Sequence, residues 1–282
     1  MADGEVGSDR TFRYGNGPTR SRRWFLKLTA AGTLGLYVSN AFGETRLAEA
    51  APIPGGSLAP KQIPKFVQPL QVPGTMPTTS TPNQYKLAVR QFRQQMLPPG
   101  MPQTTVWSYV PTNQPGLQTT PSYTIEAVRG RPVTVTWVNG LIDSNGRYRP
   151  HLFPVDPTLH WANPPGGTTG RDCRPMFMTT PEPYTGPVPT VTHVHGLADS
   201  PDWSDGYAEA WFLPAANNIP AGYATVGSWY DFFRKKSGRA WAKGSATFVY
   251  PNRERPSTAW YHTHVPRFSA CTSPASRSTF KW

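Results

Sequence analysis

The chain has 282 residues, 37% of them hydrophobic and 12% aromatic, enough for one generous domain or two small ones with a true core. Charged residues make up only 16%, whereas 33 prolines and 25 glycines interrupt helices and punctuate turns; this suits a β protein better than a helical bundle, and the apolar content is too high for a wholly disordered chain. The net charge of +12 is dispersed, with no basic block and no nucleic-acid-binding motif, so no nucleic-acid partner is expected.

The N-terminal residues 1–50 read as an export signal. Ser21-Arg22-Arg23-Trp24-Phe25-Leu26-Lys27 precedes a moderately apolar run from Leu28 to Phe42, and the small-residue site Ala48-Glu49-Ala50 follows. Paired arginines, an apolar region and an Ala-x-Ala site in that order make a twin-arginine signal, which implies export to the periplasm or the exterior. The apolar run is diluted by Thr, Gly, Ser and Asn and falls short of the ~20 residues that span a bilayer, so no membrane span is expected after cleavage. The twin-arginine route carries folded proteins, which fits a chain that acquires a cofactor before export.

Residues 51–83 form a Pro-rich, extended lead-in, and a domain is expected over 84–264. Tyr85, Leu87 and Val89 alternate with polar or small residues, the period-2 pattern of a half-buried strand. Thr104 to Tyr109 is rich in β-branched and aromatic residues. Tyr123 to Val128 and Val133 to Val138 flank Arg129-Gly130-Arg131-Pro132 and predict a hairpin-like pair. Further strands are predicted at Thr190–His195, Thr247–Tyr250 and Thr258–His264. Short strands joined by Pro/Gly loops imply an all-β fold, an antiparallel sandwich or barrel in a single domain, with long loops at 139–189 and 212–245. The tail, 265–282, shows no strand periodicity. The two cysteines, Cys173 and Cys271, allow one disulfide at most and are expected to be separate thiols.

Four of the six histidines fall in two His-x-His pairs, His193/His195 and His262/His264, each at the end of a predicted strand. Residues i and i+2 of a strand share a face, roughly 6.6 Å apart, so each pair projects two imidazoles in parallel. Two such strands side by side would direct four imidazoles at one point. Neutral imidazole is a favoured ligand for copper, zinc, iron and nickel, and the spacing does not choose among them.

The surrounding residues narrow the choice. Thr192-His193-Val194-His195-Gly196, the following Asp202-Trp203-Ser204-Asp205-Gly206-Tyr207-Ala208-Glu209-Ala210-Trp211-Phe212, Tyr250-Pro251-Asn252, and Thr258-Ala259-Trp260-Tyr261-His262-Thr263-His264 resemble the first cupredoxin domain of multicopper oxidases, in the branch of spore-coat laccases and bilirubin oxidases. His151-Leu152-Phe153-Pro154-Val155-Asp156 and Leu159-His160 are similar to a loop of that branch. The resemblance runs from about Lys65 to His264. It implies a cupredoxin-like Greek-key sandwich or barrel that binds copper and works with dioxygen and a small reducing substrate, phenolic or pigment-like. His193 would hold the lone type 2 copper, and His195, His262 and His264 the type 3 pair. Asp205 resembles an acidic residue near the oxygen channel and would donate protons, although in Ser-Asp-Gly it also reads as a turn aspartate. His151 and His160 match loop positions and are expected to be structural.

The family's cluster takes eight histidines from four His-x-His motifs, and its blue type 1 copper uses a His-Cys-His motif. This sequence holds two of the four motifs and no His-Cys-His. Half of the three-copper site is therefore expected here, with the type 1 site absent and a complementing domain or chain needed. The tail departs from the family and reads as a frameshift or truncation. The alternative is an exported copper-binding cupredoxin module, or an inactive fragment, without oxidase turnover.

Overall fold

The computed structural model describes residues 58–155, 162–175 and 182–264 and the short strand at 278–281; of His264 and that strand it describes the backbone alone. The export signal, the first residues of the lead-in, His160 and Cys271 lie outside the described residues.

Among the described residues, eight strands make two four-stranded sheets. The first, in the order β2-β1-β4-β6, joins β1 (Gln84–Gln94), β2 (Thr104–Pro111), β4 (Val133–Asn139) and β6 (Ser245–Tyr250). The second, in the order β3-β8-β7-β5, joins β3 (Ile125–Glu126), β5 (Val191–His195), β7 (Thr258–His264) and β8 (Ser278–Lys281). Period-2 patterning fixes what each strand buries. In β4, Val133, Val135 and Trp137 are buried, while Thr134, Thr136 and Val138 between them are partly exposed. They pack with Tyr85, Leu87 and Val89 of β1 and Ala246, Phe248 and Tyr250 of β6 against Ile125, Ala259 and Tyr261 of the second sheet. The all-β sandwich expected from the sequence is thus the observed architecture, with few helical turns.

Three expectations are corrected. The segments around 129–132 do not pair as a hairpin: β3 belongs to the second sheet and β4 to the first. Gly130, at φ +77°, donates its N–H to the Asn252 carbonyl at 2.6 Å, and Arg131 closes a turn onto Val128 at 2.9 Å, so this turn carries the chain from one sheet to the other. The sheets are mixed rather than antiparallel, because β1 runs parallel to β4 and β3 parallel to β8. The tail also supplies a strand, β8, between β3 and β7. Four residues are too few to show a period.

Both long loops are pinned to the sandwich. The buried Asn139 amide, at the end of β4, donates to the carbonyls of Val188 at 2.8 Å and Phe212 at 3.1 Å, joining the two loops at one point. The second loop contains an eight-residue helix, Tyr230–Ser237, which buries Tyr230 and Phe233 and ends on Gly238 in the left-handed conformation. No helix among the described residues is long and apolar enough to cross a membrane.

Candidate metal centre

β5 and β7 are hydrogen-bonded neighbours running antiparallel, with His193 directly opposite His262, His195 opposite Trp260, and Val191 opposite His264. Directly opposed residues share a face. His193, His195 and His262 thus share one face of one ribbon, and His264 falls at a register position of that same face. The ring centroids of His193, His195 and His262 stand 5.5 to 5.9 Å apart. One ligand nitrogen from each lies within 4.8 Å of the others. Two imidazole nitrogens on one ion, each at about 2.0 Å, sit no more than about 4 Å apart. A sub-ångström side-chain adjustment closes the three on a single ion, and the same spacing serves ions bound side by side. The residues present therefore fit a transition metal of the imidazole-binding kind, copper included. His264 ends β7 on the same ladder, and its side chain lies outside the description.

Exposure is graded across the group. His195 is exposed, and His193 and His262 are half-buried. His193 is oriented from the loop that follows β5: its Nδ1 lies 2.5 Å from the backbone carbonyl of Asp205 and 3.4 Å from that residue's carboxylate. A carbonyl accepts only, so Nδ1 carries the proton and the ring's lone pair sits on Nε2, the arrangement a metal ligand needs. Asp205, singled out in the sequence for its carboxylate, touches the centre through its main chain as well. His151 lies apart from this group, its ring 6.1 Å from Trp107 and 6.0 Å from Tyr184. Cys173 is an exposed thiol.

Sequence reasoning missed what stands behind the histidines. The intervening Thr192 and Thr263 point into the sandwich, and the buried hydroxyl of Tyr109, from β2 of the opposite sheet, is hydrogen-bonded to both, at 2.9 Å in the case of Thr192. Tyr109 packs edge-on to Trp137 and Tyr261, each at 5.1 Å. Burial pushes its hydroxyl well above the usual tyrosine range, so it stays a neutral hydrogen-bonding group. One hydroxyl thus bridges both strands just beneath the His193–His262 pair. A lone tyrosine in an apolar strand carries no sign of such a role.

No family model matches the chain. A laccase of Haloferax volcanii is 36% identical to it over 206 residues, 71% of this chain and 29% of that protein. A laccase of Bacillus subtilis is 28% identical over 206 residues, 72% of this chain and 30% of that protein. A solved multi-copper oxidase from Pediococcus acidilactici aligns with 78% of this chain and 30% of its own length, at 15% identity and a TM-score of 0.43. The chain spans about 30% of the length of these curated relatives. Sequence similarity over most of its own length makes the chain a homologue of the multicopper oxidases and laccases.

Proposed function

We propose that this chain forms one wall of the oxygen-reducing copper centre of a laccase-like oxidoreductase. The observation that carries the reading is the direct pairing of His193 with His262 on adjacent strands, with His195 converging on them. His193 would hold a lone copper, and His195, His262 and His264 a coupled pair. Bound copper would supply one-electron steps that carry electrons from a small phenolic or pigment-like reductant to dioxygen. The imidazoles hold and orient the metal. The Asp205 carboxylate, 3.4 Å from His193 and partly open to solvent, would supply protons for oxygen reduction. Two His-x-His pairs supply half of a three-copper ligand set, and the sequence contains no His-Cys-His. The four-electron reaction then requires ligands and an electron-entry copper from a further domain or chain. The paired arginines 22 and 23 support twin-arginine export, and an Arg22→Lys, Arg23→Lys variant should stay in the cytoplasm.

Copper titration of the mature chain tests the reading. It predicts tight binding that His193→Ala and His262→Ala abolish, without blue absorbance or oxidase turnover from the chain alone. Failure of the chain to take up copper would remove the metal reading. Turnover by the isolated chain would remove the half-site.

A further inference from the structure

The segment that leaves β5 returns across it and is held at two points. Ser204, fully buried in a 3-10 turn over Asp202–Ser204, accepts the Val249 N–H at 2.9 Å and so ties the segment to β6. Gly206, two residues on, lies flat on β5. Its φ is +82°, and a Cβ there would come within 2.2 Å of the Thr192 carbonyl oxygen and 3.1 Å of the His193 Cα. Neither group can yield, because both are the backbone of the strand that carries the histidines. Any other residue would lift the segment off the strand and would also resist the left-handed backbone. Between the two anchors sits Asp205, whose carbonyl meets His193 Nδ1 at 2.5 Å.

We propose that Gly206 is a positioning residue for the metal centre: lacking a side chain against Thr192, it seats the Asp205 carbonyl on the Nδ1–H of His193 and thereby turns the Nε2 lone pair toward the metal. The consequence for metal binding rests on the copper reading; the tautomer of His193 does not. The main-chain carbonyl, not the Asp205 carboxylate, is the orienting group, because it is the nearer of the two and is fixed by the fold, whereas the carboxylate is 39% exposed. Partners that orient a ligand histidine in this way typically change metal affinity by about 10- to 100-fold when lost.

The test has two arms. Nitrogen-15 NMR of the metal-free, unaltered chain at mildly alkaline pH reads the His193 tautomer directly. The proposal requires a proton on Nδ1, and an Nε2–H tautomer would overturn it whether or not the chain binds copper. Copper titration then compares three variants whose folding is checked by near-ultraviolet circular dichroism. Gly206→Ala should weaken binding about 10- to 100-fold. Asp205→Asn keeps the carbonyl and should change affinity by less than about threefold, since only the side chain differs. Gly227→Ala meets the Glu209 carbonyl as closely, at 2.1 Å, away from the histidines, and should leave affinity near that of the parent. Equal losses in Gly206→Ala and Gly227→Ala would show a general packing effect, and an equal loss in Asp205→Asn would assign the role to the carboxylate; either overturns the proposal. If Gly206→Ala does not fold, the tautomer alone decides. If the parent binds no copper, the copper reading fails while the tautomer still tests the positioning role.

Discussion

The two faces of the β5–β7 ribbon are built from alternate residues of the same strands, yet they differ in burial and in what they contact. The inner face, Thr192, Val194, Tyr261 and Thr263, is buried and joined by hydrogen bonds and ring contacts to Tyr109 on the opposite sheet. The outer face, His193, His195, Trp260 and His262, runs from half-buried to exposed and holds the convergent imidazoles. Period-2 geometry lets one ladder present a packed core on one side and a cluster of imidazoles on the other. Because the Tyr109 hydroxyl joins both strands from behind, the faces should break separately, in one direction only. Damage to the inner face should cost both fold and metal. Damage to the outer face should cost metal alone.

The largest effect is expected from Trp137→Ala. Trp137 is fully buried behind Tyr109 and Tyr261 and donates to the Tyr250 hydroxyl at 3.0 Å. Its loss should cost about 3–5 kcal/mol in urea unfolding, and copper binding with it. Tyr109→Phe is subtler, because it removes one oxygen and strands the hydroxyls of Thr192 and Thr263 in an apolar place. A loss of about 1–3 kcal/mol is expected, with weaker copper binding although no ligand has been touched. Unchanged affinity in that variant would show that the inner face does not set the geometry of the outer.

A smaller effect separates the buried tyrosines from the rest by pH. Burial raises the hydroxyls of Tyr109 and Tyr250, and raises that of Tyr230 from 10.0 to about 12. The unfolded chain therefore loses these protons first. Their contribution is complete below pH ~10 and is lost as pH climbs from there through the folded-state values. Unfolding free energy measured across pH 9 to 12 should stay level and then fall, and Tyr230→Phe should make that fall shallower.

Much of this was legible in the sequence where the pattern is local. The His-x-His pairs announce a shared face because a strand's period fixes i and i+2, and β1, β2 and β4 show themselves through alternation and β-branched content. What alternation does not encode is the partner of a strand. Tyr123 to Val128 looked like half of a hairpin because it stood next to Val133 to Val138, yet the turn at Gly130 sends the chain to the other sheet. Thr192 and Thr263 alternate with the histidines and carry no local sign of a role; the opposite sheet reveals their common partner, Tyr109. Gly206 read as part of a turn, and its contact with Thr192 exists only once residues 202–206 have folded back over β5.

On the proposed reading, imidazoles from two strands act together on one metal centre. A double-mutant cycle in copper affinity, using the parent chain, His193→Ala, His262→Ala and the pair, tests it most directly. Either single change should remove most of the binding and the second should add little, so that the effects fall far short of additive. Additive losses, or copper binding that survives His262→Ala at the parent's affinity, would contradict a shared centre on the β5–β7 ribbon.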